Sequence, residues 1–273
     1  MDKGRQHQPQ RGDLPRTRRA HVGHCVAELL PRCPYDVAFT PDAAIVGFAF
    51  ESQTGVHAFA TDRRTGFRAR PNGLAYVPPN CDVYSQSHHG GEYLKIVIPP
   101  GQAAARFRDR RFSDAVDPIA IRAAQNLRAI LLAGDPVDPV TFEYWLDTLT
   151  DRVAHVMGRD ETRPRAGSWM TARRLKHVDE LIDARLDDKL TVQELAKSLG
   201  LSTGFFSRAF KASIGKAPHD YIIDRRISRA RTLLQMDALE LSSIALASGF
   251  SSHAHMTATF RSRLGVTPSQ LRR

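Results

Sequence analysis

The chain has 273 residues, 42% of them apolar, and a net charge of +10 from 39 Lys or Arg against 29 Asp or Glu. That is enough chain for one large domain or two ordinary ones with a buried core, and no apolar run approaches the roughly 20 residues of a membrane span. The basic, polar start without an apolar stretch argues against a secretory leader, and three cysteines at irregular spacing (Cys25, Cys33, Cys81) make no disulfide framework. Free thiols in a reducing cytoplasm are the expectation.

The charge is unevenly spread. Residues 1–24 carry six Lys or Arg against two Asp or Glu, residues 25–167 carry 16 against 17, and residues 168–273 carry 17 against 10. A near-neutral block thus lies between a basic tail and a basic C-terminal third, which suggests a polyanionic partner for the basic part. Residues 1–24 read as a disordered basic tail, rich in Pro, Gln, Arg and Gly without periodicity.

From residue 25 to about 100, short runs such as AIVGFAF, HAFAT, GLAYVPP and YLKIVIPP read as strands broken by Gly, Pro and Asn. Strands at this spacing predict a small barrel or sandwich. Two helices follow, Ile119 to Gly134 and Val140 to Gly158, the second with Phe142, Leu146, Leu149, Val153 and Val156 on one side. They are placed to cover the barrel or to pair with a second copy. Residues 25–158 are therefore one predicted domain, and residues 159–168, RDETRPRAGS, a linker.

From Trp169 the chain reads as helical to its end. Thr191-Val192-Gln193-Glu194 fits a capping box, Gly200 permits a tight turn, and the next helix carries Phe206 and Phe210 on one face. This is the pattern of a helix–turn–helix. It occurs twice: Ile244-Ala245 matches Leu195-Ala196 and Gly249 matches Gly200 at an offset of 49, then Ser252, Met256, Phe260, Gly265 and Pro268 match Ser202, Phe206, Phe210, Gly215 and Pro218 at an offset of 50. One residue has been inserted in the second turn. Between the copies, HDYIIDRRISRARTLLQ reads as a single connecting helix. Two such units on one connector can place two recognition helices in successive major-groove segments, about 34 Å apart.

On these motifs residues 169–273 resemble the DNA-binding domain of the AraC/XylS family of bacterial transcription regulators. The stretch IALASGFSSHAHMTATFRSRLGVTPSQLRR carries the family signature, and LAKSLGLSTGFFSRAFKASIGKAPHDYI matches in the first unit. GLAYVPPNCDVYSQS more weakly resembles a hairpin of the family's N-terminal half. The resemblance implies an α+β chain: a cupin-like β-barrel with two following helices, then an all-α domain of two helix–turn–helix units joined by a linker helix. It implies a sequence-specific, cytoplasmic regulator, most often an activator, with double-stranded promoter DNA and RNA polymerase as partners. The N-terminal half would bind a small-molecule effector or form a homodimer.

By position in the family motif, base contacts fall to Thr203, Gly204, Ser207 and Arg208 in the first unit, and to His253, Ala254, Thr257 and Ala258 in the second. Arg208 has the chemistry for bidentate pairing with guanine, and the two alanines offer at most thymine-methyl contact. Lys211, Lys216, Arg225, Arg226, Arg261 and Arg263 are phosphate candidates, several of which would equally suit a solvated basic face. Phe205 is either exposed toward a base or filling a gap against the preceding helix. His57, Tyr76, Tyr84 and Tyr93 are candidates for lining an effector pocket.

The alternative is a cupin-type metal-dependent enzyme domain fused to a DNA-binding module. No His-x-His pair stands among the predicted strands to anchor such a site, and His253 and His255, two apart on a helix, do not face each other. No catalytic residue, metal or cofactor is therefore expected. Cys25, Cys33 and His24 are read as inert rather than as a redox or metal sensor.

Overall fold

The computed structural model describes residues 17–107, 110–134, 138–158, 169–188, 190–235 and 239–272. In chain order the N-terminal part runs β1 (Arg18–Val22), β2 (Cys25–Leu30), β3 (Tyr35–Phe39), β4 (Ala44–Ala49), β5 (Gln53–Phe59), β6 (Thr65–Ala69), β7 (Gly73–Val77), β8 (Val83–Ser87), β9 (Tyr93–Ile98), α1 (Pro100–Arg106), β10 (Phe112–Ala115), α2 (Pro118–Ala133) and α3 (Pro139–Met157). The C-terminal part is all helix: α4 (Ala172–Ala184), α5 (Val192–Ser198), α6 (Thr203–Ile214), α7 (Pro218–Leu234), α8 (Leu241–Ala247), α9 (His253–Leu264) and α10 (Pro268–Arg272).

The strands form two antiparallel sheets, one in the order β1-β2-β9-β4-β7-β10 and the other in the order β3-β8-β5-β6. The expected barrel is thus not closed: among the described residues no strand of one sheet pairs with a strand of the other. The reason lies in the connections. From β2 to β9 the chain changes sheet at nearly every step, turning on Pro-, Gly- or Asn-bearing links in which Asn72 and Asn80 take φ of +63° and +59°. Apart from the β1–β2 and β5–β6 hairpins, strands pair with partners distant in sequence, and the four outer strands, β1, β10, β3 and β6, stay unjoined.

Two further points correct the sequence reading. Residues 18–22 are not tail but strand β1, which pairs Arg18 with Leu29 and Val22 with Cys25 across a two-residue Gly23-His24 turn. Arg19 there reaches the buried carboxylate of Glu28. The strand β10, bulged against β7, lies between the predicted strands and the first predicted helix, where the sequence reading placed no element. Residues 1–16 and the 159–168 linker lie outside the described residues.

Val46, Phe48, Leu74, Leu94 and Ile96 form the buried centre of the six-stranded sheet, covered by α2 and α3. Asp117 caps α2, accepting from the amides of Ile119 and Ala120 at 3.0 Å each, and pairs with Arg152 of α3 at 2.8 Å. This core does not end with the sheet domain. It continues through α2 into Ile227 and Leu234 of α7, Ile244 of α8, and Met256, Phe260 and Leu264 of α9. The first helix–turn–helix has a separate core of Leu175, Val178, Ile182, Leu195, Phe206, Phe210 and Tyr221.

Charged groups also cross between the domains. Glu92, at the start of the β9 segment, has no exposed surface and is ion-paired to Arg128 of α2 and to Arg231 of α7. These are charge contacts without a well-aligned hydrogen bond. Nearby, Glu51 is buried, and its carboxyl stays below the usual range. Burial pushes it up, but the charges of Arg32, Arg225 and Arg231 outweigh that. In the opposite direction, Arg68 of β6 donates to Asp179 of α4 at 2.7 Å, and Tyr221 donates to the other oxygen at 2.7 Å. Replacing one member of such a buried set strands its partners. Glu92→Ala is expected to destabilise the chain by about 3 to 5 kcal/mol, read as a lowered denaturation midpoint. Adding Arg231→Met should recover part of the loss.

Candidate nucleic-acid interface

The first unit begins at a complete capping box. Thr191 Oγ1 accepts from the amide of Glu194 at 3.2 Å, and the Glu194 carboxylate accepts from the amide of Thr191 at 2.8 Å. Arg185 clasps the same carboxylate at 2.8 Å. The turn after α5 closes by Leu201 N–H donating to Ala196 O, with Gly200 at φ +69°. Ser202 then caps α6 by accepting from the amide of Phe205, and α6 ends on Gly215 in the left-handed region.

The second unit repeats this geometry with two changes. Phe250 N–H donates to Ala245 O, the same turn bond 49 residues on, and Ser252 caps α9 by accepting from His255 N–H. The inserted residue is therefore Ser251, whose hydroxyl contacts His255 Nδ1 at 3.0 Å. The other change is at the start: Glu240 precedes α8 without a side-chain cap. The turn glycine also differs in need. Nothing surrounds Gly200, whereas a Cβ on Gly249 would lie 2.0 Å from the carbonyl oxygen of Leu186. Only glycine fits where the second turn meets the link between α4 and α5.

The buried faces of both recognition helices are the expected ones, Phe206, Ala209, Phe210 and Ile214 on α6 and Met256, Phe260 and Leu264 on α9. On the opposite side of α6, Thr203, Gly204 and Arg208 are exposed, with Ser207 half-buried. The Arg208 guanidinium lies along the bare backbone of Gly204, where a Cβ would be 3.6 Å from it. Phe205, 39% exposed, packs edge-on against Trp169 at 5.2 Å, and Arg174 stacks on the other ring at 3.8 Å. On α9, His253, Ala254 and Ala258 are exposed, but Thr257 is half-buried. Its hydroxyl oxygen is turned inward with no partner among the described residues, so it does not face outward as a base contact would.

The six phosphate candidates divide sharply. Lys211 and Arg261 are exposed. Arg263 is held by Asp220 and Lys216 by Asp224. Arg226 donates to the carbonyls of Leu186 and Asp188, and burial lowers its pKa. Arg225 is buried against Asp183; burial works against its charge, and Tyr221, Asp183 and Glu51 more than restore it. Arg225, Arg226 and Lys216 are thus occupied inside the protein rather than offered to a phosphate. One cation the sequence did not single out, Arg122 of α2, joins Lys211, Lys216 and Arg263 around a cleft of about 270 Å³ between the domains. It lies outside both repeats, so no motif marks it.

The four effector candidates are not gathered together. The register pairs His57 with Ser85 and Tyr84 with Ala58, which puts His57 and Tyr84 on opposite faces of their sheet. His57 stacks on Phe67 at 4.9 Å, its pKa lowered by burial and by the charge of Arg111. Tyr84 lies under the guanidinium of Arg64. In the other sheet Tyr76 is buried against Phe107 and Phe112. Tyr93 lies on the opposite face, its hydroxyl over Gly47, its pKa raised by burial and by Tyr35. Only His57 and Tyr93 face the space between the sheets.

The family model described as a helix-turn-helix domain matches residues 195–273. The HTH-type transcriptional regulator ArgR of Pseudomonas aeruginosa is 33% identical over 90 residues, 33% of this chain and 27% of that protein. The virulence regulon transcriptional activator VirF of Yersinia enterocolitica is 35% identical over 165 residues, 58% of this chain and 57% of its own. A solved transcriptional regulator with an AraC-type DNA-binding domain, from Chromobacterium violaceum, is 34% identical; the match covers 39% of this chain and 93% of that one, with a TM-score of 0.36. The chain thus spans between about a quarter and three-fifths of these two curated relatives. Paired recognition helices with these matches define a DNA-binding helix–turn–helix protein. Over its C-terminal domain the chain is similar to AraC-type transcriptional regulators.

The capping box makes one prediction. The amide and hydroxyl of Thr191, then Arg185, lower the Glu194 carboxyl from 4.5 to about 2. A depressed acid stabilises the fold fully above its unfolded value and loses that contribution as pH falls through its folded value. Stability of the first unit should therefore fall between about pH 4.5 and pH 2. In Glu194→Gln the loss of stability over this range should be smaller than in the wild-type chain, as followed by circular dichroism.

Proposed function

We propose that the chain is a sequence-specific regulator of transcription that binds double-stranded promoter DNA through α6 and α9, each in a major-groove segment. The observation that carries this is the pair of recognition helices on one connector. Each has a buried apolar face and exposed first two turns bearing Thr203, Gly204 and Arg208, or His253, Ala254 and Ala258. Arg208 is the base reader of the first unit, its planar fork suited to guanine O6 and N7; Ser207 flanks it. The second unit, with few polar groups facing outward, relies more on phosphate contact and DNA shape. Lys211 and Arg261 supply the phosphate contacts, and Arg263 joins them when Asp220 releases it.

Residues 25–158 are read as the sensor half, cupin-like in its short strands, which receives a small effector or pairs two copies. Exposed Val140 and Tyr144 on α3 are the apolar surface available for pairing. The name of VirF, a transcriptional activator, supports activation as the sign of regulation, with RNA polymerase the partner this reading assigns. No helix among the described residues is long and apolar enough to cross a membrane.

Selection of bound sites from a random DNA pool, at two salt concentrations, tests the reading. It should yield a motif with two blocks about one helical turn apart; binding without an enriched motif would overturn it. On that motif, Arg208→Ala should lower specific affinity about tenfold or more while leaving non-specific affinity and stability nearly unchanged. Arg225→Ala should instead lower stability by about 3 kcal/mol. Equal loss of specific and non-specific binding in the Arg208 variant would demote that residue to a phosphate contact.

A further inference from the structure

We propose that Asn72 and Ile121 of the sheet domain are positioning residues for the first recognition helix, and so set the spacing at which α6 and α9 meet DNA. The inference rests on the reading of these two helices as the DNA-reading elements. It starts from an asparagine in an unfavourable backbone. Asn72, in the link from β6 to β7, takes φ +63° and is almost wholly buried. Its amide N–H donates to Ala49 O at 2.7 Å, which fixes the turn. Glycine would take this conformation at lower cost, so the turn alone gives no reason for a side chain.

The reason is on the other side of the domain boundary. Asn72 Nδ2 donates at 2.8 Å to the carbonyl oxygen of Ile214, the last residue of α6. That carbonyl is among those a helix leaves without an intrahelical partner. The Gly215 amide returns to Lys211 O and so does not satisfy it. A residue 142 positions away in sequence therefore caps the recognition helix. Immediately beyond, Gly215 presents its bare α-carbon to α2: a Cβ there would lie 2.2 Å from Ile121 Cδ1 and 3.0 Å from Val116. The end of α6 is thus seated on the sheet domain by one hydrogen bond and one close contact.

The second recognition helix reaches the same α2 by another route. α9 packs directly against α2, and its Met256, Phe260 and Leu264 belong to the core that contains Ala120, Ala124 and Leu127. The first unit does not share that core. α2 is consequently a strut between the two recognition helices, joined to α9 by continuous apolar packing and to the end of α6 by Ile121, while Asn72 holds the same helix end from the β6–β7 link. Any movement of α2 within the sheet domain changes the offset between the two helices, because interiors transmit displacement rather than absorb it.

The test uses the full chain and the two-block site obtained by selection, with versions lengthened or shortened by one base pair between the blocks. Asn72→Gly keeps the turn and deletes the cap; Asn72→Asp keeps the shape but cannot donate. The wild-type chain should prefer the selected spacing by about tenfold or more. Both variants should bind that site about three- to tenfold more weakly and lose most of the preference between spacings, with thermal unfolding little changed in Asn72→Gly. Gly215→Ala, which drives a methyl group onto Ile121, should shift the preferred spacing. If that variant does not fold, Asn72→Gly alone decides the matter. Folded Asn72 variants with the wild-type spacing profile would overturn the inference while leaving the two-helix reading intact. A selection that yields no two-block motif would sink both.

Discussion

Glu92 sits where the two domains meet, and the arrangement of everything around it follows from its burial. A carboxylate without solvent must be surrounded by positive charge, and here one arginine comes from each side, Arg128 from α2 and Arg231 from the connector α7. Arg128 is further held over the ring of Phe50 at 4.8 Å. A buried ion pair adds little net stability compared with apolar packing, but it tolerates few geometries. With α7 fixed against the sheet, both helix–turn–helix units inherit an orientation relative to α2 and α3. The reverse pair, Arg68 on the sheet and Asp179 on α4, places acid and base on opposite sides of the boundary, so a slide in either direction would part charges.

Around this anchor the two repeated units behave differently. The first carries a full capping box, an enclosed core of its own and a turn with open space around Gly200. The second lacks the cap, shares its core with the sheet domain, and has a turn glycine pressed against Leu186. Similar sequences have thus been given unequal independence. The first unit is held at its edge, through the end of α6; the second is held through its interior.

Much of this was readable in advance where pattern maps onto geometry. The period of Phe206, Phe210, Met256 and Phe260 defined the buried faces, and the shift in offset from 49 to 50 located an insertion that the structure resolves as Ser251. What was not readable depended on partners distant in the chain. Lys216, Arg225 and Arg226 look like surface cations by type, yet each is occupied by an acid or a carbonyl on α4, α7 or the link between α4 and α5. Alternation along a strand says that faces differ but not which faces the other sheet, so His57 and Tyr84 were grouped although the register separates them. β1 was hidden because Arg18, Arg19 and His21 are poor strand signals; pairing to β2 and the contact of Arg19 with Glu28 outweigh that preference. Sheet closure, too, is a property of edges that no single segment reports.

The core that runs from α2 into α9 has a consequence for how such a chain can change. In a protein whose domains fold around separate interiors, one domain can be replaced by a relative's with only the linker to adjust. Here Phe260 and Leu264 have neighbours on both sides of the domain boundary, so a substitution that suits the helical domain must also suit Ala120, Ala124 and Leu127. Close-packed volume is conserved only if both sides change together. A chimera joined at the linker would bring a mismatched face to α2, leaving cavities or overlaps at the join. The modular order of the sequence, sheet domain first and helical domain second, therefore overstates how separable the two parts are. Heredity would have to treat α2 and the second unit as a single piece.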